Sequence, residues 1–131
     1  MTRYAKGANA ERELIEMFWN SGYAAMRAAG SGVSRYPSVD VIASNGRKTF
    51  AVECKAIKSS CVYLEWDEIV KLLTFAQKFG ADAYVGVRFA KDGWSFLEAG
   101  RIQTTKGGKF KITKKIANEN GENFSDLISV L

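Results

Sequence analysis

Apolar and polar positions along this 131-residue chain repeat with two different periods. Within residues 10–20, Leu14, Ile15 and Phe18 fall on one face at helical spacing, and Ser21-Gly22 supplies a stop with glycine as the C-cap. Val39-Asp40-Val41-Ile42-Ala43 and Lys48-Thr49-Phe50-Ala51-Val52 read as strands, and Asn45-Gly46 between them is a strong short-range hairpin signal. A second helix is predicted from about residue 65 to 79, ending at Gly80, with Glu65, Asp67 and Glu68 in its first turn where negative charge suits the helix dipole. Residues 83–89 and 94–97 form another hairpin around Asp92-Gly93. Together these elements predict a single α/β domain over residues 1–131, a mixed and mostly antiparallel sheet with helices packed against it.

The first hairpin sorts its side chains. With Asn45-Gly46 as a two-residue loop, Ser44 faces Arg47 and Asp40 lies opposite Ala51. Asp40, Ala51, Glu53 and Lys55 then share one face, with Asp40 and Glu53 as diagonal neighbours roughly 7–8 Å apart at the backbone. Val39, Val41, Ala43, Phe50, Val52 and Cys54 make the other, apolar face. Two carboxylates so placed suit a hard divalent cation such as Mg²⁺. A lysine two residues beyond the second acid can hold or help deprotonate a water and offset charge on a phosphate. A surface ion pair on a solvated strand would use the same residue types, but the sorting of apolar residues to the other face favours a site.

Glu11 adds a third carboxylate. It sits three, four and seven residues before Leu14, Ile15 and Phe18, on their face, where an acid is costly unless paired or bound to metal. Arg12 lies beside it at the rim. Residues 30–38 form a glycine- and serine-containing loop carrying Arg35, with Arg27 at its entrance, suited to ordering on a phosphate backbone. Lys58 after the second strand can also reach phosphate, and Tyr36 can stack on an unpaired base. The loop lacks the lysine of a P-loop, so no nucleotide cofactor is expected.

On the second helix, Trp66, Ile69, Leu73 and Ala76 make one apolar stripe, while Leu72, Phe75 and Phe79 make a second. A helix covering a sheet needs one. The spare stripe predicts a partner surface, a second copy of the chain, unless the C-terminal segment covers it. From about residue 98 that segment is strongly basic, with Arg101, Lys106, Lys109, Lys111, Lys114 and Lys115; it reads either as a tail that tracks DNA or as an ordinary solvated end.

Composition narrows the chemistry. A net charge of +5 and a pI near 9.3 favour an anionic partner. There is no histidine, which removes histidine triads, histidine metal sites and histidine bases and leaves carboxylate–metal chemistry as the main route to hydrolysis at neutral pH. Cys54 and Cys61 read as inert thiols rather than a disulfide. No signal peptide or long apolar run points to export or a membrane, so the cytoplasm, or a host's cytoplasm for a viral protein, is the expected location.

Lys6-Gly7, Glu11-Arg12-Glu13-Leu14, Arg27-Ala28-Ala29-Gly30-Ser31-Gly32, Asp40-Val41-Ile42-Ala43, Asn45-Gly46 and Glu53-Cys54-Lys55 in this order resemble the archaeal-type Holliday junction resolvases. The resemblance implies a restriction-endonuclease-like fold, Mg²⁺ as cofactor with Mn²⁺ able to substitute, a homodimer, and branched DNA, a four-way junction, as partner. It implies Asp40 and Glu53 as metal ligands with the Cys54 carbonyl as a third, Lys55 to position the water, Glu11 to complete the acidic cluster and Ser31 as a catalytic loop serine. The pattern departs in one place: Pro37 stands three residues before Asp40 rather than directly before it. Two alternatives stay open, a repair or restriction-type endonuclease on the same scaffold and a catalytically silent DNA-binding module.

Overall fold

A nine-residue strand, β3 (Thr49–Ile57), is the spine of the molecule. On one side it pairs with β2 (Val41–Ser44), which pairs in turn with β1 (Ala24–Arg27); on the other it pairs with β5 (Asp82–Phe89), followed by β6 (Gly93–Glu98). The five strands lie in the order β1-β2-β3-β5-β6, and β3–β5 is the one parallel pair. The computed structural model describes residues 3–28, 36–105 and 107–129, with the backbone alone for 3–8.

Both faces of this sheet are covered. Helix α1 (Arg3–Trp19) lies on one face, where Leu14 and Phe18 pack with Val41, Ala43, Phe50, Val52 and Phe96. Helix α2 (Trp66–Phe79) covers the other, with Ile69, Leu72 and Ala76 against Ala51, Val85 and Val87. Phe18, Phe50 and Phe96 are fully buried, each worth roughly 1.5–3 kcal/mol in transfer from water. Alternation along β3 holds as predicted, except that Val39 joins the α2 side: it precedes β2, outside the regular pleat.

The hairpin register differs from the expected one by two residues. Asn45 N–H donates to Lys48 C=O, so the two loop residues are Gly46 and Arg47, and Ser44 pairs with Thr49 rather than Arg47. Gly46 has φ of +92°, the conformation that a glycine-first hairpin turn needs. Asn45 Oδ1 accepts from both the Arg47 and Lys48 amides, a clamp that favours this turn over an Asn-Gly loop. The same register carried one step on brings Asp40 directly opposite Glu53. A shift of two leaves every side chain on its face, so the chemistry of the hairpin survives the correction.

Two further expectations change. Helix α2 stops at Gly80 in the left-handed conformation, as read, but its stripes exchange a member. Leu72 is buried in the core beneath the helix and is no interface residue, whereas Leu73, Val70 and Trp66 face outward. Ile69, Leu72 and Ala76, spaced three and seven residues apart, form the packed line. Phe75 is half-buried, and Phe79 is exposed with its ring stacked on Phe75. The basic C-terminal segment is no solvated tail. It forms a 3₁₀ turn at Ala99–Arg101, strand β7 (Phe110–Thr113), helix α3 (Lys114–Asn120) and helix α4 (Phe124–Ile128). Strand β7 pairs with β4 (Cys61–Leu64) in a second sheet, placing Phe110 and Ile112 in the α2-side core, and Leu127 of α4 is buried beside α1.

Candidate active site

The candidate residues gather at one rim of the central sheet, where β3 runs on past the end of its pairing with β2. Asp40 sits just before β2, and its Oδ2 accepts from the Cys54 backbone N–H at 2.9 Å, which fixes the carboxylate beside β3. Glu53, the neighbour of Cys54 on that strand, comes within hydrogen-bonding reach of Asp40. Burial, then the Asp40 charge and the hydrogen bond shared with it, push the Glu53 carboxyl up to about 8, although Lys55 pulls the other way. Two carboxylates so close disfavour both being charged, and Glu53 keeps its proton to higher pH than an isolated glutamate. A divalent cation can replace that proton, and an all-oxygen pair fits a hard ion.

Lys55 turns toward α2. Its Nζ donates to Glu68 Oε1 at 2.9 Å. Burial lowers the Lys55 pKa, but the bond and charge of Glu68, with Glu53 and Asp40 behind it, outweigh burial and leave it raised. Lys55 is thus a cation at neutral pH, suited to holding a water and countering phosphate charge rather than to taking a proton.

Glu11 approaches from α1, on the opposite face from Glu53. Burial raises its pKa, Arg27 acts against that, and the Asp40 charge adds to it. Its Oε2 accepts from Arg27 Nε at 2.9 Å. Among the described residues no three acidic or thiol side chains converge into a ready-made metal cage, so Glu11 is not brought into the Asp40–Glu53 pair. Arg12 is exposed at the rim and donates to Asn9 Oδ1, and Lys58 is exposed at the turn after β3. Ser31 and Arg35 lie outside the described residues. The Cys54 thiol packs on the α1-side core, where burial raises its pKa far above the usual thiol range, and neither cysteine is in a disulfide.

Two residues of this rim escape the sequence reading. Glu68 is visible in the chain only as an acid in a first helical turn, a place where acids need no further reason. Arg88 lies on β5 beside Ala56, its Nε bonded to Glu13 Oε1 at 2.8 Å, and Trp94 Nε1 donates to the same oxygen at 2.6 Å. Arg88 and Glu13, with Asn9 and Ile57, line a groove of about 430 Å³ next to β3. Nothing local in the sequence marks Arg88; only the β3–β5 pairing brings it here.

A family model for the archaeal Holliday junction resolvase (hjc) matches residues 2–131. The chain belongs to that family. It is 41% identical over 112 residues to crossover junction endodeoxyribonuclease Hjc of Archaeoglobus fulgidus, covering 86% of this chain and 82% of that one. The protein of the same name from Methanocaldococcus jannaschii is 30% identical over 114 residues, covering 87% and 80%. The crystal structure of the Archaeoglobus fulgidus Hjc, a Holliday junction resolvase, superposes with a TM-score of 0.86 at 37% identity, covering 92% of this chain and 98% of that one. Membership selects the junction-resolving nuclease over the repair, restriction and silent-module alternatives. Among the described residues no helix is long and apolar enough to cross a membrane.

Proposed function

We propose that the protein resolves four-way DNA junctions as an Mg²⁺-dependent homodimer, placing paired, symmetric nicks in strands of like polarity. The observation that carries the chemistry is the Asp40–Glu53 pair, with Asp40 clamped by the Cys54 N–H and Lys55 two residues beyond Glu53. Asp40 and Glu53 would hold the ion, with the Cys54 carbonyl as a third oxygen, and Mn²⁺ would serve in place of Mg²⁺. When bound, the cation would supply Lewis-acid charge at the scissile phosphate and ease loss of a proton from water. Asp40 and Glu53 orient that charge. Lys55 aligns the water for in-line attack and counters the charge that develops on phosphorus. Arg27, held by Glu11, stands where a neighbouring phosphate would pass, and Arg12 and Lys58 extend that track.

One chain carries one such site, whereas two matching nicks need two. A two-fold dimer supplies them in the symmetry of the junction. The outer face of α2 supports this assembly, with Val70 and Leu73 partly open and Phe79 at 58% exposure stacked on Phe75. Phosphate contacts position a protein without reporting sequence, so selectivity rests on branched shape.

The test is an end-labelled four-way junction incubated beside its component linear duplex, with Mg²⁺ or with chelator. Paired nicks in the junction alone, lost on chelation, are expected; equal cutting of both substrates, or full cutting in chelator, would overturn the reading. Phe79→Glu should convert the dimer to monomers and suppress paired nicking, because an unpaired charge in an apolar interface is costly. Light scattering that finds the parent protein monomeric at micromolar concentration would remove the dimer.

A further inference from the structure

Helix α2 reaches the active site through one side chain that makes two bonds at once. Glu68 Oε1 accepts from Lys55 Nζ at 2.9 Å, while Glu68 Oε2 accepts from the Glu65 backbone N–H at 3.0 Å. The second bond secures the start of the helix, so the carboxylate that grips Lys55 is itself tied to backbone. Lysine is a compact charge on a flexible four-carbon stem, and its position has to come from its partners. Three carboxylates lie around this one, Glu68, Glu53 and Asp40, yet only Glu68 is within ion-pair distance of it.

Left to itself the ammonium would be drawn to the place where two carboxylates lie together, and there it would fill the seat of a divalent cation. We propose that Glu68 is a positioning residue that holds the Lys55 ammonium off the Asp40–Glu53 pair, keeping the pair open to a divalent cation and the ammonium free to meet phosphate. The inference rests on the Mg²⁺ reading of the site and assigns Glu68 no contact with the reacting atoms. It also explains why an acid belongs beside a catalytic lysine. Without it, the cation that should assist the metal would compete with it.

Glu68 carries its own negative charge, which could aid cation binding without positioning anything. The two accounts separate when Lys55 is removed, because a positioning residue then has nothing to position. The experiment therefore uses four purified proteins without DNA: the parent, Glu68→Ala, Lys55→Ala and the double variant. Each is titrated with Mn²⁺ and read by electron paramagnetic resonance of the free ion. Glu68→Ala is expected to weaken Mn²⁺ binding by about tenfold or more, in the range for residues that orient metal ligands. Made on top of Lys55→Ala, the same substitution should leave the affinity of Lys55→Ala unchanged. Equal losses in both backgrounds would overturn the positioning role.

Glu68→Gln guards against a folding defect, since glutamine can still accept from the Glu65 N–H. It should melt with the parent and show an intermediate loss of Mn²⁺ affinity that disappears with Lys55→Ala. A parent protein that binds no Mn²⁺ would overturn the metal reading and this role with it. Parent-like binding by a folded Glu68→Ala would overturn this role alone.

Discussion

The cations that follow β6 and the carboxylates at the rim of β3 are handled in opposite ways. Arg101 lies 3.2 Å from Glu98, Lys109 3.3 Å from Glu65 and Lys114 2.8 Å from Asp92, all on the surface. At the rim, Asp40 and Glu53 are pressed together half-buried, and the adjacent ammonium is taken up by Glu68. The first region pairs three of its cations within the chain and gains little, since exposed pairs contribute about 0–1 kcal/mol each. The second leaves two carboxyl groups crowded against each other, an arrangement relieved by a cation that arrives from outside. Density of charge is therefore a poor guide to function here. The lysine-rich segment is the more conspicuous in the sequence, whereas the proposed chemistry rests on the crowded carboxylates.

The sharpest way to break this contrast is to neutralise each region in turn. Asp40→Asn, Glu53→Gln or Lys55→Ala should each lower Mg²⁺-dependent junction cleavage by about a thousandfold or more, several kcal/mol of transition-state stabilisation. Binding to the junction in Ca²⁺, measured by gel shift, should stay close to the parent's, because affinity is spread over many phosphate contacts. Near-normal cleavage by Asp40→Asn would dissolve the distinction between the two regions.

A second expectation concerns stability without metal. The folded-state pKa of Glu53, about 8, lies above that of an unfolded glutamate, so the folded protein binds more protons than the unfolded one between the two values. Stability contributed by this group is thus full below the unfolded pKa and declines as pH rises toward about 8. Glu53→Gln should stabilise the chelated protein near pH 7.5 by roughly 1–3 kcal/mol, seen as a rise in Tm, and the advantage should vanish near pH 4. A variant that melts below the parent at both pH values would show that the pair is not strained. The smallest effect belongs to the other region. Lys109→Ala and Arg101→Ala should each shift unfolding free energy by less than about 1 kcal/mol in denaturant titrations and leave the cleavage rate unaltered.

The same contrast explains what was legible in the sequence. Asp40, Glu53 and Lys55 could be grouped because strand alternation has a period of two, and a register error of two residues leaves the grouping intact. The Asn-Gly pattern does not reveal the turn itself, because Asn45 spends its side chain clamping the Arg47 and Lys48 amides. Leu72 and Leu73 are adjacent leucines on one helix, and only the position of the sheet beneath decides which is buried. The β4–β7 sheet was illegible for a different reason. Cys61 pairs with Thr113 across some fifty residues, two four-residue strands with no hairpin signal between them. Arg88 and Glu68 reach the rim in the same way, through pairings and packing that no local window contains.

The ring of Phe18, on α1, meets that of Phe124, on α4, with centroids 5.1 Å apart, and Leu127 is fully buried in the same cluster. During synthesis this packing cannot form until the ribosome has passed residue 127 and released it from the exit tunnel. Until then, α1 lacks part of the surface that holds it to the sheet, and Glu11 and Asn9 ride on that helix. The hairpin with Asp40 and Glu53 emerges far earlier. A nascent chain thus carries its paired carboxylates long before the α1 wall beside them is fully held in place.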